Sequence, residues 1–346
     1  MVNSVSSPGI YSAYLEEPWE AGYASRVGKR HQARGGGNED SIAVSFLPVP
    51  GKFALAKSRL AFFVALCPGI LLCLAFAGWQ LTGFAFPAFS PLLALSVGVV
   101  LVQVLLLGGL FAVLSAPCSS PPQSGLHCCV ADGVSGGACG AVASLSAAHY
   151  LVGLRPAYPE SEAEDFGACK AALEQWIVAA DEVVEKKVAE QGDRAGATTF
   201  SAAWLSPTGD GWISRLGDCR VWCWKMDEKN EVQLYQVGGD QTFTAMNETP
   251  EPNVSMSNPA RLLGVGLVGE PDVWDVHLAS GEGLMLTSDG IHATLSSEEI
   301  AGLLQACLRH DRKRRRTLCT TARLIERRAR MSGSRDDLSV MILRRR

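Results

Sequence analysis

The stretch Val130-Ala131-Asp132-Gly133-Val134-Ser135-Gly136-Gly137 organises this chain. The apolar run 126–130 before it predicts a buried strand, and the small residues at 141–148 after it are compatible with a helix. A carboxylate at the end of a buried strand, followed by glycines that let the backbone turn sharply, presents an acid to a cavity. Because Asp-Gly is also a common turn dipeptide, the stretch taken alone favours an ordinary turn.

The composition excludes several classes of protein. The 346 residues carry a net charge of -4, which argues against a nucleic-acid partner. The 11 cysteines form no CxxC pair, so we expect reduced thiols rather than a disulfide framework or a zinc site. Residues 1–20 lack the basic start and apolar core of a cleavable signal, and residues 1–19 are predicted to be a flexible N-terminal tail.

A charge-free segment interrupts the chain. It contains two apolar blocks, 60–79 and 91–114, each long enough to cross a hydrocarbon core, which needs about 20 residues. Basic residues precede the first block and none lies between the two, as expected for a hairpin with both ends in the cytoplasm. A pair of buried core helices is the alternative, but such helices rarely lack a charge on every face. We therefore predict that 51–124 is an inserted membrane hairpin with its linker.

Periodicity outside this segment predicts a mixture of helices and strands, that is, an α+β fold. One helix is predicted at 162–190, with Phe166, Leu173, Ile177, Val184 and Val188 as core positions. A second helix is predicted to begin after Ser296 as its N-cap, and a third covers about 317–330. Strands are predicted at 21–28, 41–46, 126–130, 197–204, 211–216, 220–225, 275–278, 283–287 and 338–343.

Four aspartates stand at the edges of predicted strands. Asp40 and Asp336 each precede a strand, whereas Asp132 and Asp289 each follow one and are themselves followed by glycine. Carboxylates gathered at one end of a sheet suit hard divalent cations such as Mg²⁺ or Mn²⁺. Without a cation, like charges at close range would raise one another's pKa and destabilise the fold.

Six short motifs in order resemble the PP2C family of metal-dependent serine/threonine protein phosphatases, particularly its bacterial members. The resemblance covers about 22–46 and 125–343, nearly everything except the tail and the apolar segment. Single motifs of this kind are degenerate, whereas six in family order are specific. The motifs are Asn38-Glu39-Asp40-Ser41, Val130-Ala131-Asp132-Gly133, Gly196-Ala197-Thr198-Thr199, Leu216-Gly217-Asp218-Cys219-Arg220, Thr287-Ser288-Asp289-Gly290 and Arg335-Asp336-Asp337.

The resemblance implies a four-layer α-β-β-α sandwich, here made from 20–50 and 125–346 and interrupted by the two-helix transmembrane hairpin. It also implies a site for two Mn²⁺ or Mg²⁺ ions, with a third, weaker ion, and attack on phosphorus by a metal-bridging hydroxide. Glu39 would orient coordinated water, and Asp218 would help Asp289 bind the third ion. The implied metal ligands are Asp40, Asp132, the Gly133 carbonyl, Asp218, Asp289 and Asp336.

Some positions depart from the family pattern or allow two interpretations. Ser135 replaces the first of two paired glycines, and Asp337 replaces an asparagine. The phosphate-binding arginine is predicted to be Arg34, with Arg30 in reserve, although either fits a solvated loop cation. Asp218 also fits a turn cap beside the arginine two residues later.

The function predicted from this resemblance is hydrolysis of phosphoserine or phosphothreonine on a protein. The catalytic domain is predicted to lie in the cytoplasm and to be anchored in the lipid of the inner membrane by the two spans. A catalytically inactive scaffold or sensor that binds phosphoproteins is the alternative. A transporter is disfavoured because neither span carries an ionisable residue. The basic runs at 309–316 and 327–330 fit a solvated helix face or contact with anionic headgroups.

Overall fold

The computed structural model describes residues 2–5, 12–16, 18–33, 37–48, 124–134, 139–158, 166–192, 195–266, 268–310 and 317–346. Contacts along the chain divide it into two units, Met1–Leu47 with Ser124–Arg346 and Pro48–Gln123. The predicted membrane spans, Arg34 and Ser135 lie outside the described residues. Within the residues described, no helix is both long and apolar enough to cross a membrane.

The described residues form strands and helices in the mixed order that the sequence predicts. The strands are β1 (Val2–Val5), β2 (Ser12–Glu16), β3 (Trp19–Arg26), β4 (Ser41–Pro48), β5 (Ser124–Val134), β6 (Ala197–Leu205), β7 (Asp210–Leu216), β8 (Arg220–Met226), β9 (Val232–Val237), β10 (Asp272–His277), β11 (Gly283–Thr287) and β12 (Leu338–Arg345). The helices are α1 (Lys29–Ala33), α2 (Gly140–Gly153), α3 (Phe166–Ala189), α4 (Phe243–Met246), α5 (Asp289–His292), α6 (Ser297–His310) and α7 (Thr317–Met331).

These strands form two sheets. In the described part of the chain each sheet has six strands, in the orders β1-β4-β5-β6-β7-β10 and β2-β3-β12-β11-β8-β9. The strands β4 and β5 are neighbours although a long segment separates them in sequence. Asp40 directly precedes the first residue of β4 and Asp132 lies near the last residue of β5, so both lie at the same end of this pair of strands.

Three apolar clusters show how the layers pack. In the first, Leu173 and Ile177 of α3 lie with Trp204 of the first sheet. The second fills the space between the sheets and includes Leu126 of β5 and Leu286 of β11. The third joins the second sheet to α6 and α7 through residues such as Trp224, Ile300 and Ile325. The order of layers is therefore helix, sheet, sheet, helix, as the predicted sandwich requires.

Two helices test the predicted patterns directly. Four of the five predicted core positions of α3 are buried, whereas Phe166 is 46% exposed. Phe166 is the first residue of the helix and packs against the buried Trp212, with ring centroids 5.0 Å apart. The predicted cap of α6 is confirmed, because the Ser296 hydroxyl accepts from the Glu299 amide and the Glu299 carboxylate accepts from the Ser296 amide.

The N-terminal residues differ from the predicted flexible tail. The strand β1 pairs with β4 and β2 pairs with β3, each in antiparallel register. The physical reason is that the outer edges of β3 and β4 present unpaired amide and carbonyl groups, which the N-terminal strands satisfy. The edge strand β9 also escaped prediction, although its Val232-Gln233-Leu234 alternation is typical of a half-buried strand.

Candidate metal centre

The four predicted aspartates meet at one end of the two sheets. Asp40 immediately precedes β4, and Asp132 is the third residue from the end of β5. Asp289 begins α5 after β11, and Asp336 lies two residues before β12. Burial raises the pKa of Asp132 well above its usual value, and the negative charges of Asp40, Asp289, Asp218 and Asp336 raise it further. The five carboxyl groups therefore share one electrostatic environment.

Asp40 lies deepest in this acidic group. Its side chain has no solvent exposure, its Oδ2 accepts a 2.8 Å hydrogen bond from the Ser288 hydroxyl, and its Oδ1 has no hydrogen-bond partner. Burial raises the pKa of Asp40 well above the ordinary range, and the Asp337 charge adds to the effect. A buried carboxylate oxygen without a donor is costly unless a cation accepts it as a ligand.

Hydrogen bonds between the strands hold the surroundings of Asp40 in place. The Ser288 and Ser339 backbones are joined by a 3.0 Å bond, and the Ser339 amide also donates to the Ser288 hydroxyl. The Ser339 hydroxyl contacts that of Ser25, which in turn accepts from the Asn38 side chain. These serines connect β3, β12 and the start of α5, so the position of Asp40 depends on all three elements.

Asp132 and Gly133 lie within the last three residues of β5, whereas the strand predicted from the sequence ends before them. The carbonyl oxygen of Asp132 accepts a 2.7 Å hydrogen bond from the Thr198 hydroxyl of β6. A Cβ atom at Gly133 would overlap the Gly140 carbonyl oxygen and would lie 2.7 Å from that of Glu39. Only glycine allows the backbone that carries Asp132 to approach the Asn38-Glu39-Asp40 segment this closely.

Asp289 and Gly290 begin the short helix α5. Burial raises the pKa of Asp289 to about 6, and the Asp336 charge adds to the shift. Its Oδ1 is buried without a hydrogen-bond partner. A Cβ atom at Gly290 would overlap the Asp337 carbonyl oxygen, so this glycine lets α5 pack against the residues that precede β12.

Asp218 follows a turn at Gly217, whose φ is +82°. Burial raises the pKa of Asp218 to about 7, with a further contribution from Asp289. Arg220 makes a two-point ion pair with Asp240, at 2.8 and 2.6 Å, so Asp240 rather than Asp218 is its carboxylate partner. This arrangement favours the interpretation of Asp218 as part of the acidic group over that of a turn cap paired with Arg220.

Asp337 ties the Glu39 segment to the end of β3. One of its carboxylate oxygens accepts from the Gly28 amide at 2.6 Å, and the other accepts from the Glu39 amide at 2.5 Å. The asparagine that the resemblance predicts at this position would offer only one such acceptor, so the second carboxylate oxygen has a structural use here. Burial raises the pKa of Glu39, His31 opposes the shift, and the charges of Asp337 and Asp336 add to it.

Of the two candidate phosphate-binding arginines, the structure describes only Arg30. It lies in α1, its amide donates to the Arg335 carbonyl oxygen at 2.9 Å, and its residue is exposed. Its positive charge lowers the pKa of Glu39. Arg34 falls among residues 34–36, outside the described part of the chain.

The donor set fits divalent cations. Five carboxylates and the Gly133 carbonyl supply oxygen ligands of the kind that Mg²⁺ and Mn²⁺ prefer, and Asp40 and Asp289 each keep a buried oxygen without a hydrogen bond. Among the residues described, no three His, Cys, Asp or Glu side chains are already arranged around one point as ligands. The fit therefore rests on the chemistry of the donors and on their shared burial.

Sequence reasoning did not find the residues that support the aspartates. The serines Ser25, Ser288 and Ser339 were not singled out, nor was the role of Asp337 as a clamp. The sequence did indicate a role for Ser288, because this residue directly precedes Asp289 and its hydroxyl lies at the acidic end of the sheet. Ser25 and Ser339 had none, because their contact spans two strands that are far apart in sequence.

No protein-family model and no curated protein sequence matches this chain. Solved structures do align with it. One is the serine/threonine phosphatase PstP/Ppp of Mycobacterium tuberculosis, at 22% identity over 63% of this chain and 87% of the other, with a TM-score of 0.48. Another is the serine/threonine phosphatase Stp1 of Staphylococcus aureus, at 18% identity over 66% and 86%, with a TM-score of 0.49.

A third alignment is with the catalytic domain of the serine/threonine protein phosphatase PstP in complex with two manganese ions. It has 22% identity over 63% of this chain and 86% of the other, with a TM-score of 0.47. The chain is similar to these three solved structures at 18–22% identity.

Proposed function

We propose that this protein is a metal-dependent protein phosphatase that hydrolyses phosphoserine or phosphothreonine. The observation that carries the proposal is the gathering of Asp40, Asp132, Asp218, Asp289 and Asp336 at one end of the sandwich, with buried oxygens on Asp40 and Asp289 that accept no hydrogen bond. Two Mn²⁺ or Mg²⁺ ions bound there would neutralise these charges and lower the pKa of bound water enough to supply a nucleophile near neutral pH.

The chain's own residues would divide the remaining work. Asp40, Asp132, Asp289, Asp336 and the Gly133 carbonyl would hold the ions, and Asp218 would contribute to a third site beside Asp289. Glu39, whose backbone amide donates to Asp337, would orient coordinated water at the edge of the group. Arg34, or Arg30 among the described residues, would bind the substrate phosphate, because a guanidinium matches phosphate oxygens in two-point geometry.

The test is hydrolysis of a phosphothreonine peptide by the detergent-solubilised full chain, with Mn²⁺ and with EDTA. We expect turnover only with Mn²⁺ and a loss of about 10³-fold or more in Asp289→Asn, which corresponds to roughly 4 kcal/mol of transition-state stabilisation. The matched control is Asp275→Asn, the same change at an exposed position of β10. A folded protein that binds Mn²⁺ without turnover would support the scaffold or sensor instead.

Membrane anchoring belongs to the same proposal. Its support is the charge-free sequence from 60 to 131 and the two long apolar blocks within it. We expect the full chain to stay in the membrane pellet after alkaline carbonate extraction, and a variant without 51–123 to be released. Extraction of the full chain by carbonate would contradict anchoring by two spans at the inner membrane.

A further inference from the structure

A second feature of the surface lies outside the acidic centre. A pocket of about 510 Å³ opens where the end of β3 meets α1 and the last turns of α7. Its lining consists of Arg26, Lys29, Glu326, Arg327, Arg330 and Met331. Four of these six side chains are cationic, although the whole chain has a net charge of -4.

The one acidic residue in the lining of the pocket already forms an ion pair. Glu326 is 1% exposed, and its Oε1 lies 2.6 Å from Nε of Arg26. Within the described residues, no ion pair involves Lys29, Arg327 or Arg330. The pocket therefore presents three cations without a carboxylate partner in the described chain, and an anionic ligand would complement them.

The strand register places the Arg26 and Lys29 side of the pocket near the acidic end of the sheets. Arg26 is paired in register with Leu338, two residues after Asp336. Two residues after Arg26, the Gly28 amide donates to Asp337, and Lys29 follows directly. At about 3.3 Å per residue, an extended peptide with its phosphorylated residue at the centre would reach the pocket within about five residues.

The lining also indicates the chemical class of the ligand. Guanidinium groups bind carboxylates and phosphates through two parallel hydrogen bonds, which favours a compact anionic group. Met331 is 70% exposed at the rim, so the ligand also meets an apolar, adaptable surface, as a peptide segment would offer.

We propose that this basic pocket binds an acidic side chain of the phosphoprotein substrate, within a few residues of the phosphorylated one. The proposal rests on the proposed phosphatase function and adds a substrate class to it, namely phosphoproteins with an acidic segment beside the phosphorylated residue. The pocket would lower KM for such substrates and take no part in the chemical step.

The experiment compares two phosphothreonine peptides that differ only in having Glu or Gln at the flanking positions. The variant is the full chain with Arg327→Glu and Arg330→Glu. We expect KM for the Glu peptide to rise about tenfold, with kcat preserved, while values for the Gln peptide and for p-nitrophenyl phosphate stay within about twofold. Equal losses on all three substrates, or none, would overturn the proposal.

The matched control reverses two exposed lysines outside the pocket, Lys186→Glu on α3 and Lys225→Glu on β8. It changes the net charge by the same amount, so an effect of overall charge would appear in both double variants. We expect the control to keep the preference for the Glu peptide. A loss of that preference in the control would show that the whole surface, and not the pocket, selects acidic peptides.

Direct binding separates failure of this proposal from failure of the phosphatase function. With EDTA present, the anisotropy of a fluorescein-labelled Glu peptide should report binding about tenfold tighter than that of the Gln peptide, and the pocket variant should lose the difference. We expect this difference in binding even if no peptide is hydrolysed. A lack of hydrolysis would reject only the phosphatase function. Absence of the difference in the parent chain would overturn the pocket proposal.

A lipid occupant is the competing outcome. If the pocket variant keeps its preference for the Glu peptide but loses binding to phosphatidylglycerol vesicles relative to the lysine control, the cations contact headgroups and the proposal is wrong. If vesicle binding is the same in both double variants and only peptide selection changes, the substrate assignment is supported.

Discussion

Substitution of Gly290 by alanine is expected to destabilise the fold by about 3 kcal/mol or more. The added Cβ would overlap the Asp337 carbonyl oxygen, which is backbone and cannot rotate away. The backbone there is also held, since the Asp337 carboxylate accepts from the Gly28 and Glu39 amides. Relief would need α5 to move, and α5 begins with Asp289, so we expect Mn²⁺ binding to be lost as well.

Thermal unfolding and Mn²⁺ calorimetry measure both effects, with a fall in Tm of about 10 °C expected. The matched control is Gly302→Ala. Gly302 lies inside α6, where an added Cβ meets no atom within 4 Å, so the change should stabilise the protein by up to about 1 kcal/mol. A Gly290→Ala variant that unfolds at the temperature of the parent would show that α5 does not pack as closely as the structure places it.

The metal-free protein is expected to lose stability as the pH rises from about 4 to about 8. Burial raises the folded-state pKa of Asp289 to about 6 and that of Asp218 to about 7, above the unfolded value of 3.8. The folded protein therefore binds more protons than the unfolded chain between these values. The stability that this contributes is complete below pH 4 and is lost as the pH passes 6 and 7.

Each unit of pKa shift is worth about 1.4 kcal/mol, so a fall in Tm of about 10 °C between pH 5 and pH 8 is expected with EDTA. Saturating Mn²⁺ should reverse the fall, because the ions bind the ionised carboxylates of the folded state. A metal-free Tm that rises over this range would contradict the shared acidic environment.

The same measurements on Asp40→Asn test the most deeply buried of the five carboxylates, because this substitution removes its charge. Because Asp40 is fully buried and one oxygen lacks a partner, the neutral side chain should raise the metal-free Tm at pH 8 while reducing the gain from Mn²⁺. Asp275→Asn, at the exposed position on β10, should change neither quantity. A lower metal-free Tm in Asp40→Asn would show that the Asp40 carboxylate stabilises the fold without a cation, which would contradict its proposed role as a metal ligand.

Local patterns predicted most of the elements that carry the centre. The strand at 283–287 was predicted with its observed bounds, and the strand at 197–204 extends by one residue. Neither run contains a charged residue, and the fold buries both along their whole length, which makes their extent visible in sequence. Of the edge strands, β1 was missed and β10 was placed late, because each pairs with a strand that is not its neighbour in sequence. The edge strands β2 and β9 were missed although each pairs with the adjacent strand in sequence.

The sequence by itself determined which residues can supply oxygen ligands and that four of them lie at strand edges. Only the tertiary structure decided that these edges coincide, because β4 and β5 pair across an insertion of more than seventy residues. It also decided that Asp337 binds two backbone amides and that Arg26, Lys29 and α7 enclose a basic pocket. Chemical identity is local and can be predicted from sequence, whereas these contacts join segments hundreds of residues apart, and their formation depends on the packing of the whole sandwich.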